Sequence, residues 1–282
     1  MQTILVATDF SPVSRNASFF AYEFAEALNA KIILFNAYKV PRIPPAFGLS
    51  VSSYDTMIKV DNRLSDEAEF LDPNGKIIDI LCDEGEAGAA ILDIANEKNV
   101  DCIIIGMKGK NSKIFGRTAT TLALKSNIPV IIVPERKRYT DLETIVFSNT
   151  PGSNIEFESI AIIKKIIACF QPELFVTTMI KNDYSWTGVP GTRTCLKQTS
   201  HPGKSYESLA DSNITNGLNK CTRLYNADMI VVTPHRHTWF ETLLNMSERK
   251  KMLFQTKIPI LIIPTSISEK KIKKELLSLE LS

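Results

Sequence analysis

Short runs of consecutive apolar residues alternate along the chain with longer segments whose apolar positions recur every three or four residues. Ile4–Thr8, Lys31–Asn36, Ile77–Leu81, Asp101–Gly106 and Val130–Val133 are of the first kind. They lack polar alternation, which predicts strands of a parallel sheet covered on both faces. Residues 13–29 carry Phe19, Phe20, Tyr22, Phe24, Ala25 and Leu28 at helical spacing. Residues 53–71 predict a second helix anchored by Met57, Val60, Leu64 and Phe70. Ala87–Glu97 predicts a third with Ile91, Leu92, Ile94 and Ala95 inward, and Thr118–Ser126 a fourth. Asp9, Ser11 and Pro12 end the first strand and open the first helix. The stretch KVPRIPPAFGLS, with three prolines and a glycine, forms no regular element. Strands alternating with helices give right-handed β-α-β units and a doubly wound parallel sheet. Such sheets bind ligands outside the carboxyl ends of their strands. Asp9, Ala37, Gly106 and Gly109 fall at those ends.

The charged segment ERKRYTDLE (135–143) marks a boundary, after which the pattern restarts. Thr144–Ser148 resembles Thr3–Ala7, and Asn149 is read as standing where Asp9 stands. Ile160–Phe170, Ile214–Tyr225 and Ser247–Gln255 read as helices. Leu174–Ile180, Asp228–Thr233 and Pro259–Ile263 read as strands, and residues 182–208 as a long polar loop. NVDCIIIG (99–106) matches NADMIVVT (226–233), and SNIPVIIVP (126–134) matches TKIPILIIP (256–264). The first match is offset by 127 residues (228 − 101) and the second by 130 (259 − 129), so the first half is three residues shorter between its last two strands. An α/β unit repeated in tandem is the expectation, with domains 1–137 and 138–282.

Composition narrows the function classes. Lys and Arg number 33 against 31 Asp and Glu, a formal +2 in 282 residues, too balanced to predict a nucleic-acid partner from bulk charge. The longest apolar runs, such as Ile128–Pro134, fall far below the ~20 residues of a membrane span. The opening MQTILVATDFSP has no basic leader region, so a cytoplasmic protein without a membrane partner is expected. Five cysteines (82, 102, 169, 195, 221) form no C-x-x-C pair, which leaves no zinc or disulfide framework. His235 and His237 lack a third ligand in sequence reach and read as surface residues, so no metal is expected. A hydrolase built on Ser11 or Ser14 would need a nearby base. The first half has no histidine, so these serines read as helix-start residues and no catalytic residue is assigned.

The opening ILVATDFSPVS and the strand, helix and I-P-V-type strand that close each half resemble the universal stress protein family in its tandem two-domain form. The resemblance implies a five-stranded parallel sheet per domain and pairing of the two domains through their last strands. It also implies a nucleotide site in some members, with ATP as the ligand and no general hydrolytic reaction. The family motif is Gly, two residues, Gly, nine residues, then Gly followed by Ser or Thr. Its glycines admit phosphates to backbone N–H groups at a helix start. Here Gly106-Met107-Lys108-Gly109 keeps the first pair, and Gly116 takes the third place after six residues instead of nine. Arg117 stands where the hydroxyl residue belongs, followed by Thr118. Arg117 either grips phosphate as a fork donor or blocks it. Lys108, Lys110 and Lys113 add positive charge.

The resemblance implies that Asp9 is a ligand for the adenosine part; its position also suits a cap for the first helix, and both can hold at once. The candidate nucleotide-binding residues are therefore Asp9, Ala37, Gly106, Gly109, Gly116, Arg117 and Thr118. In the second half the motif positions hold Thr233, Arg236, Met246 and Ser247, which offer no phosphate loop. The leading expectation is a stress-response protein that binds ATP or another adenine nucleotide, or another anion, weakly in domain 1, and is not an enzyme. A scaffold that recruits protein partners is the alternative, and a slow nucleotide hydrolase a weaker one.

Overall fold

Strand β1 (Thr3–Ala7) is apolar from Ile4 onward, and Ile4 through Ala7 are all buried. A strand buried along its whole length has both faces covered. The computed structural model supplies the cover, and it describes residues 2–40, 52–75, 77–107, 117–135, 137–149, 161–180, 204–210, 222–232 and 257–264. The chain divides into two units, Met1–Tyr139 and Thr140–Ser282.

The first unit runs β1, α1 (Pro12–Leu28), β2 (Lys31–Tyr38), α2 (Ser53–Leu71), β3 (Ile78–Glu84), α3 (Ala87–Glu97), β4 (Cys102–Met107), α4 (Arg117–Lys125) and β5 (Val130–Pro134). Its strands are parallel in the order β3-β2-β1-β4-β5. The chain steps outward twice, returns past β1, and steps outward the other way. With right-handed crossovers that route sets α1 with α2 on one face and α3 with α4 on the other, and each pair is in contact. Phe20, Phe24 and Leu28 of α1 are fully buried, with Leu34 and Phe35 of β2. Burial of each such side chain contributes about 2–3 kcal/mol.

Local signals start and stop these helices. The Ser11 hydroxyl caps α1 by accepting from the Ser14 N–H at 3.2 Å, with Pro12 in the first helical position. Glu86 caps α3 by accepting from the Gly88 and Ala89 N–H groups. At the end of α2, buried Asp72 accepts from the Ile77 and Ile78 N–H groups and so starts β3. Asn29 ends α1 in the left-handed region, where its short polar side chain costs little.

The second unit runs β6 (Thr144–Asn149), α5 (Ala161–Phe170), β7 (Glu173–Ile180), β8 (Lys204–Ala210), β9 (Met229–Val232) and β10 (Ile260–Ile262). Its parallel order is β10-β9-β6-β7-β8. Counted from the first strand of each unit, the two orders are the same.

Three expectations are corrected. The polar loop at 182–208 overlaps a strand, because Lys204–Ala210 pairs in register with Leu174–Ile180; its Ser- and Lys-rich sequence hides the period. In α2 the buried positions are Leu64, Glu67 and Leu71, whereas Phe70 is 71% exposed and Met57 also lies outside. Glu67 occupies the inward stripe, and Phe70 instead meets Phe19 of α1 edge-on at 5.6 Å. Asn149 is the counterpart of Thr8 rather than Asp9: Ile4 pairs with Cys102 where Ile145 pairs with Met229. Counting on from Ile145, Thr150 takes the place of Asp9. Of the helix expected at 214–225 only residues 222–225 are described, and 222–224 are helical; the helix expected at 247–255 lies outside the described residues.

Candidate functional site

The register of the first sheet gathers one set of strand ends. Ala7 lies opposite both Phe35 and Ile105. Continued by two residues, that register sets Asp9 level with Ala37 and Met107. Gly106 stands one step before, opposite Val133 of β5. Asp9, Ala37 and Gly106 therefore share the carboxyl end of the sheet, at the point between β1 and β4 where the strand order reverses. Crevices of this kind are where open α/β sheets take ligands.

Thr8 organises the turn from β1 to α1. Its N–H donates to the Phe35 carbonyl at 2.9 Å. Its carbonyl accepts from buried Asn36 Nδ2 at 2.7 Å. Its hydroxyl oxygen accepts from the Phe10 N–H at 3.0 Å, and the hydroxyl hydrogen points between Ser14 Oγ at 3.2 Å and Glu67 Oε2 at 3.3 Å. Asp9 Oδ1 accepts from the Ser11 N–H at 3.0 Å, closing a second small turn. Partial burial pushes the Asp9 carboxyl up, but hydrogen bonds from the Ser11 and Ser14 hydroxyls and the Ser11 N–H outweigh it and leave the group below its ordinary value. Asp9 is thus an exposed anion, already an acceptor and ready to accept once more.

Phe10, between these two turns, has φ of 62°. The other non-glycine residues with positive φ among those described are Asn29, Asn99, Gln171 and Asn226, and each follows a helix. Phe10 alone occupies this region beside a strand end. A bulky residue there costs on the order of 1–2 kcal/mol. The Arg63 guanidinium of α2 lies 3.9 Å from its ring centroid, a cation–π contact that offsets part of that cost.

Gly106 has a structural reason of its own. A Cβ there would come within 2.6 Å of the Val13 carbonyl oxygen, in the first turn of α1. The glycine lets α1 lie directly on β4, and it lies inside β4 rather than in the turn after it. Gly88 does the same between α3 and α4, where a Cβ would meet Thr121. Arg117 opens α4 and is exposed, with Thr118 half-buried next to it. Gly109, Gly116, Lys108, Lys110 and Lys113 lie outside the described residues, as do Thr233, Arg236, Met246, Ser247 and the three histidines.

Sequence reasoning missed Thr8, Asn36, Ser18 and Glu67. One signal was available: Glu67 falls between Leu64 and Leu71 on the inward stripe of α2, and Ser11, Ser14 and Ser18 recur at helical spacing in α1. Cys102 is buried, and burial pushes its thiol up and leaves it unreactive. Among the described residues no group of three or more His, Cys, Asp or Glu is placed to hold a metal. No helix among them is long and apolar enough to cross a membrane.

Residues 1–134 match the model of the Universal stress protein family. A curated relative, the stress response protein NhaX of Bacillus subtilis (strain 168), is 27% identical over 46% of this chain and 96% of its own length. In three dimensions the chain is similar to a universal stress protein from Archaeoglobus fulgidus DSM 4304, with a TM-score of 0.71 at 14% identity over 93% of this chain and 96% of that one. It is also similar to a putative universal stress protein from Pseudomonas aeruginosa UCBPP-PA14, with a TM-score of 0.60 at 13% identity over 95% and 96%. At those identities the two structures establish the α/β fold and nothing finer.

Proposed function

Because residues 1–134 belong to the universal stress protein family, we propose that this chain acts by binding rather than by catalysis, and that its first unit takes an adenine nucleotide or another anion. ATP is the nucleotide proposed. The observation that carries the reading is the convergence of Asp9, Ala37 and Gly106 at the switch point, with the strained turn at Phe10 between β1 and α1. Asp9 offers an acceptor suited to the exocyclic amine of adenine or to a ribose hydroxyl. Arg117, at the start of α4, is the described cation available to an anion near that helix start. Gly106 carries less of the argument, since its packing against Val13 already requires a glycine. Gly109, Gly116 and Thr118 complete the proposed set, and the sequence from Gly106 to Gly116 is three residues shorter than its counterpart in the second half.

A short loop and a missing hydroxyl at position 117 predict weak binding, with dissociation constants of about 10 μM or higher, roughly 7 kcal/mol or less. Calorimetric titration of nucleotide-free protein with ATP and ADP tests this. Asp9→Ala should weaken any such binding about tenfold, and no binding at millimolar ATP would discard the reading.

Two further parts of the proposal concern the second half. It binds no ATP, since Thr233, Arg236 and Met246 replace the glycines. It also pairs with the first half through the last strands, whose apolar sequences VIIVP and PILII would make hazardous open edges. Expression of residues 1–137 alone should then give a dimer or aggregate, and a stable monomer would count against the pairing.

The scaffold reading has its own support. Phe19 and Phe70 meet on the outside of α1 and α2, and Tyr54, Met57 and Ile58 are exposed along α2. Exposed apolar side chains gathered on one helix pair suit a protein partner.

A further inference from the structure

We infer that Glu67 is the positioning residue for the β1–α1 turn: from α2 it holds Phe10, and with it Asp9, in the shape the site requires. The inference rests on the reading of that turn as a nucleotide site. Glu67 is only 7% exposed. A buried carboxylate needs donors, and among the described residues its donors come from the β1–α1 segment. Ser18 Oγ donates to Oε1 at 2.8 Å, Thr8 Oγ1 reaches Oε2 at 3.3 Å, and Arg15 Nε stands 3.9 Å from Oε2. Ser14 and Ser18 lie in the first two turns of α1, where the helix end favours a negative charge.

The chain of contacts leads to the strained residue. The Thr8 hydroxyl that faces Glu67 is the acceptor for the Phe10 N–H at 3.0 Å. Two hydrogen bonds thus connect the α2 carboxylate to the backbone of Phe10. One turn earlier on the same helix, Arg63 covers the Phe10 ring. Backbone and ring of Phe10 are therefore both held from α2, four residues apart. Packing alone would favour another apolar residue between Leu64 and Leu71, since a buried charge seldom adds net stability over a hydrophobic side chain. The position carries a carboxylate whose reach is directed at the turn.

The test uses the full chain and three variants, read first without nucleotide. Glu67→Leu removes the acceptor and keeps the stripe apolar. Glu67→Gln keeps the shape and one acceptor oxygen. Glu67→Asp withdraws the carboxylate by one methylene. Amide hydrogen exchange followed by NMR should show the Phe10 N–H exchanging about tenfold faster or more in Glu67→Leu, while the amides of β1 keep their rates. Glu67→Gln should return the Phe10 rate to within about threefold of wild type. Should Glu67→Leu fail to fold, Glu67→Asp replaces it, with an expected acceleration of about threefold. A Phe10 rate unchanged from wild type in the folded variant overturns the inference.

Titration with ATP then separates this inference from the site reading. Where wild type binds, Glu67→Leu should weaken binding about tenfold and Glu67→Gln should restore it, and an unaltered affinity in Glu67→Leu overturns the positioning role. Where wild type binds no ATP, the site reading fails and the exchange rates alone decide whether Glu67 holds the turn.

Discussion

Asp101 and Asp228 make the same attachment in different halves of the chain. Asp101 Oδ2 accepts from the N–H groups of Gln2 and Thr3, at 2.6 and 3.1 Å, while its own N–H donates to the Thr3 carbonyl. Asp228 Oδ2 accepts from Glu143 and Thr144, at 3.2 and 3.1 Å, and its N–H donates to the Thr144 carbonyl. Two residues before each aspartate an asparagine, Asn99 or Asn226, leaves its helix with φ near 50°. Further on, Ile103 donates to the Pro129 carbonyl and Ile230 to that of Pro259. These pairs, 26 residues apart in the first half and 29 in the second, carry the same three-residue difference as the sequence. The two units thus share the frame that ties strand to strand at the amino ends. They part company at the carboxyl ends, where Thr8, Asp9 and Gly106 in one half correspond to Asn149, Thr150 and Thr233 in the other. The two units retain what aligns their strands, while the carboxyl ends, which align nothing, carry different residues.

The largest test of that contrast is Gly106→Val. The new Cβ would collide with the Val13 carbonyl and should cost about 2–3 kcal/mol of stability. Urea denaturation measures the loss, and the second half already carries a threonine at the matching position. A harmless Gly106→Val would return that glycine to the ligand's account. Next come Asp101→Ala and Asp228→Ala, each of which strips a charged acceptor from two strand N–H groups. Each should cost about 2 kcal/mol, and a large inequality between them would show that the shared frame is unevenly used.

Asn99→Ala and Asn226→Ala should each cost about 1 kcal/mol, because alanine tolerates the left-handed region less well. Thermal melts of the two variants should shift alike. The smallest effect concerns acid. Asp9 titrates below its ordinary value, so the folded protein binds its proton less readily than the unfolded chain. The resulting stability is complete above about pH 4 and fades as the pH falls through the lowered value. Asp9→Asn lacks this increment, so its acid unfolding should begin slightly higher on the pH scale than that of wild type, and solvent exposure keeps the difference small. A midpoint unchanged within error would remove the hydrogen bonds of Ser11 and Ser14 as its cause.

Much of this was legible in the chain itself. The uninterrupted apolar runs located β1, β2, β4 and β5, since a strand covered on both faces has no polar alternation to obscure it. Ser11 and Pro12 marked the start of α1 because a cap acts within four residues and its chemistry is local. The N-x-D repeat at 99–101 and 226–228 identified equivalent positions for the same reason: an αL exit and a strand clamp need particular residue types at fixed spacing. Other features were settled only by folding. Glu67 looks like one charge among many on α2 until α1 is laid beside it and supplies Ser18 and Thr8. Phe70 looks like a core anchor until the inward stripe proves to run through Glu67. Gly106 looks like a phosphate-loop glycine until Val13 arrives within 2.6 Å of where its side chain would be. Periodicity along a chain states how often a residue faces inward, whereas the identity of what it then meets depends on elements tens of residues away, and only their packing supplies it.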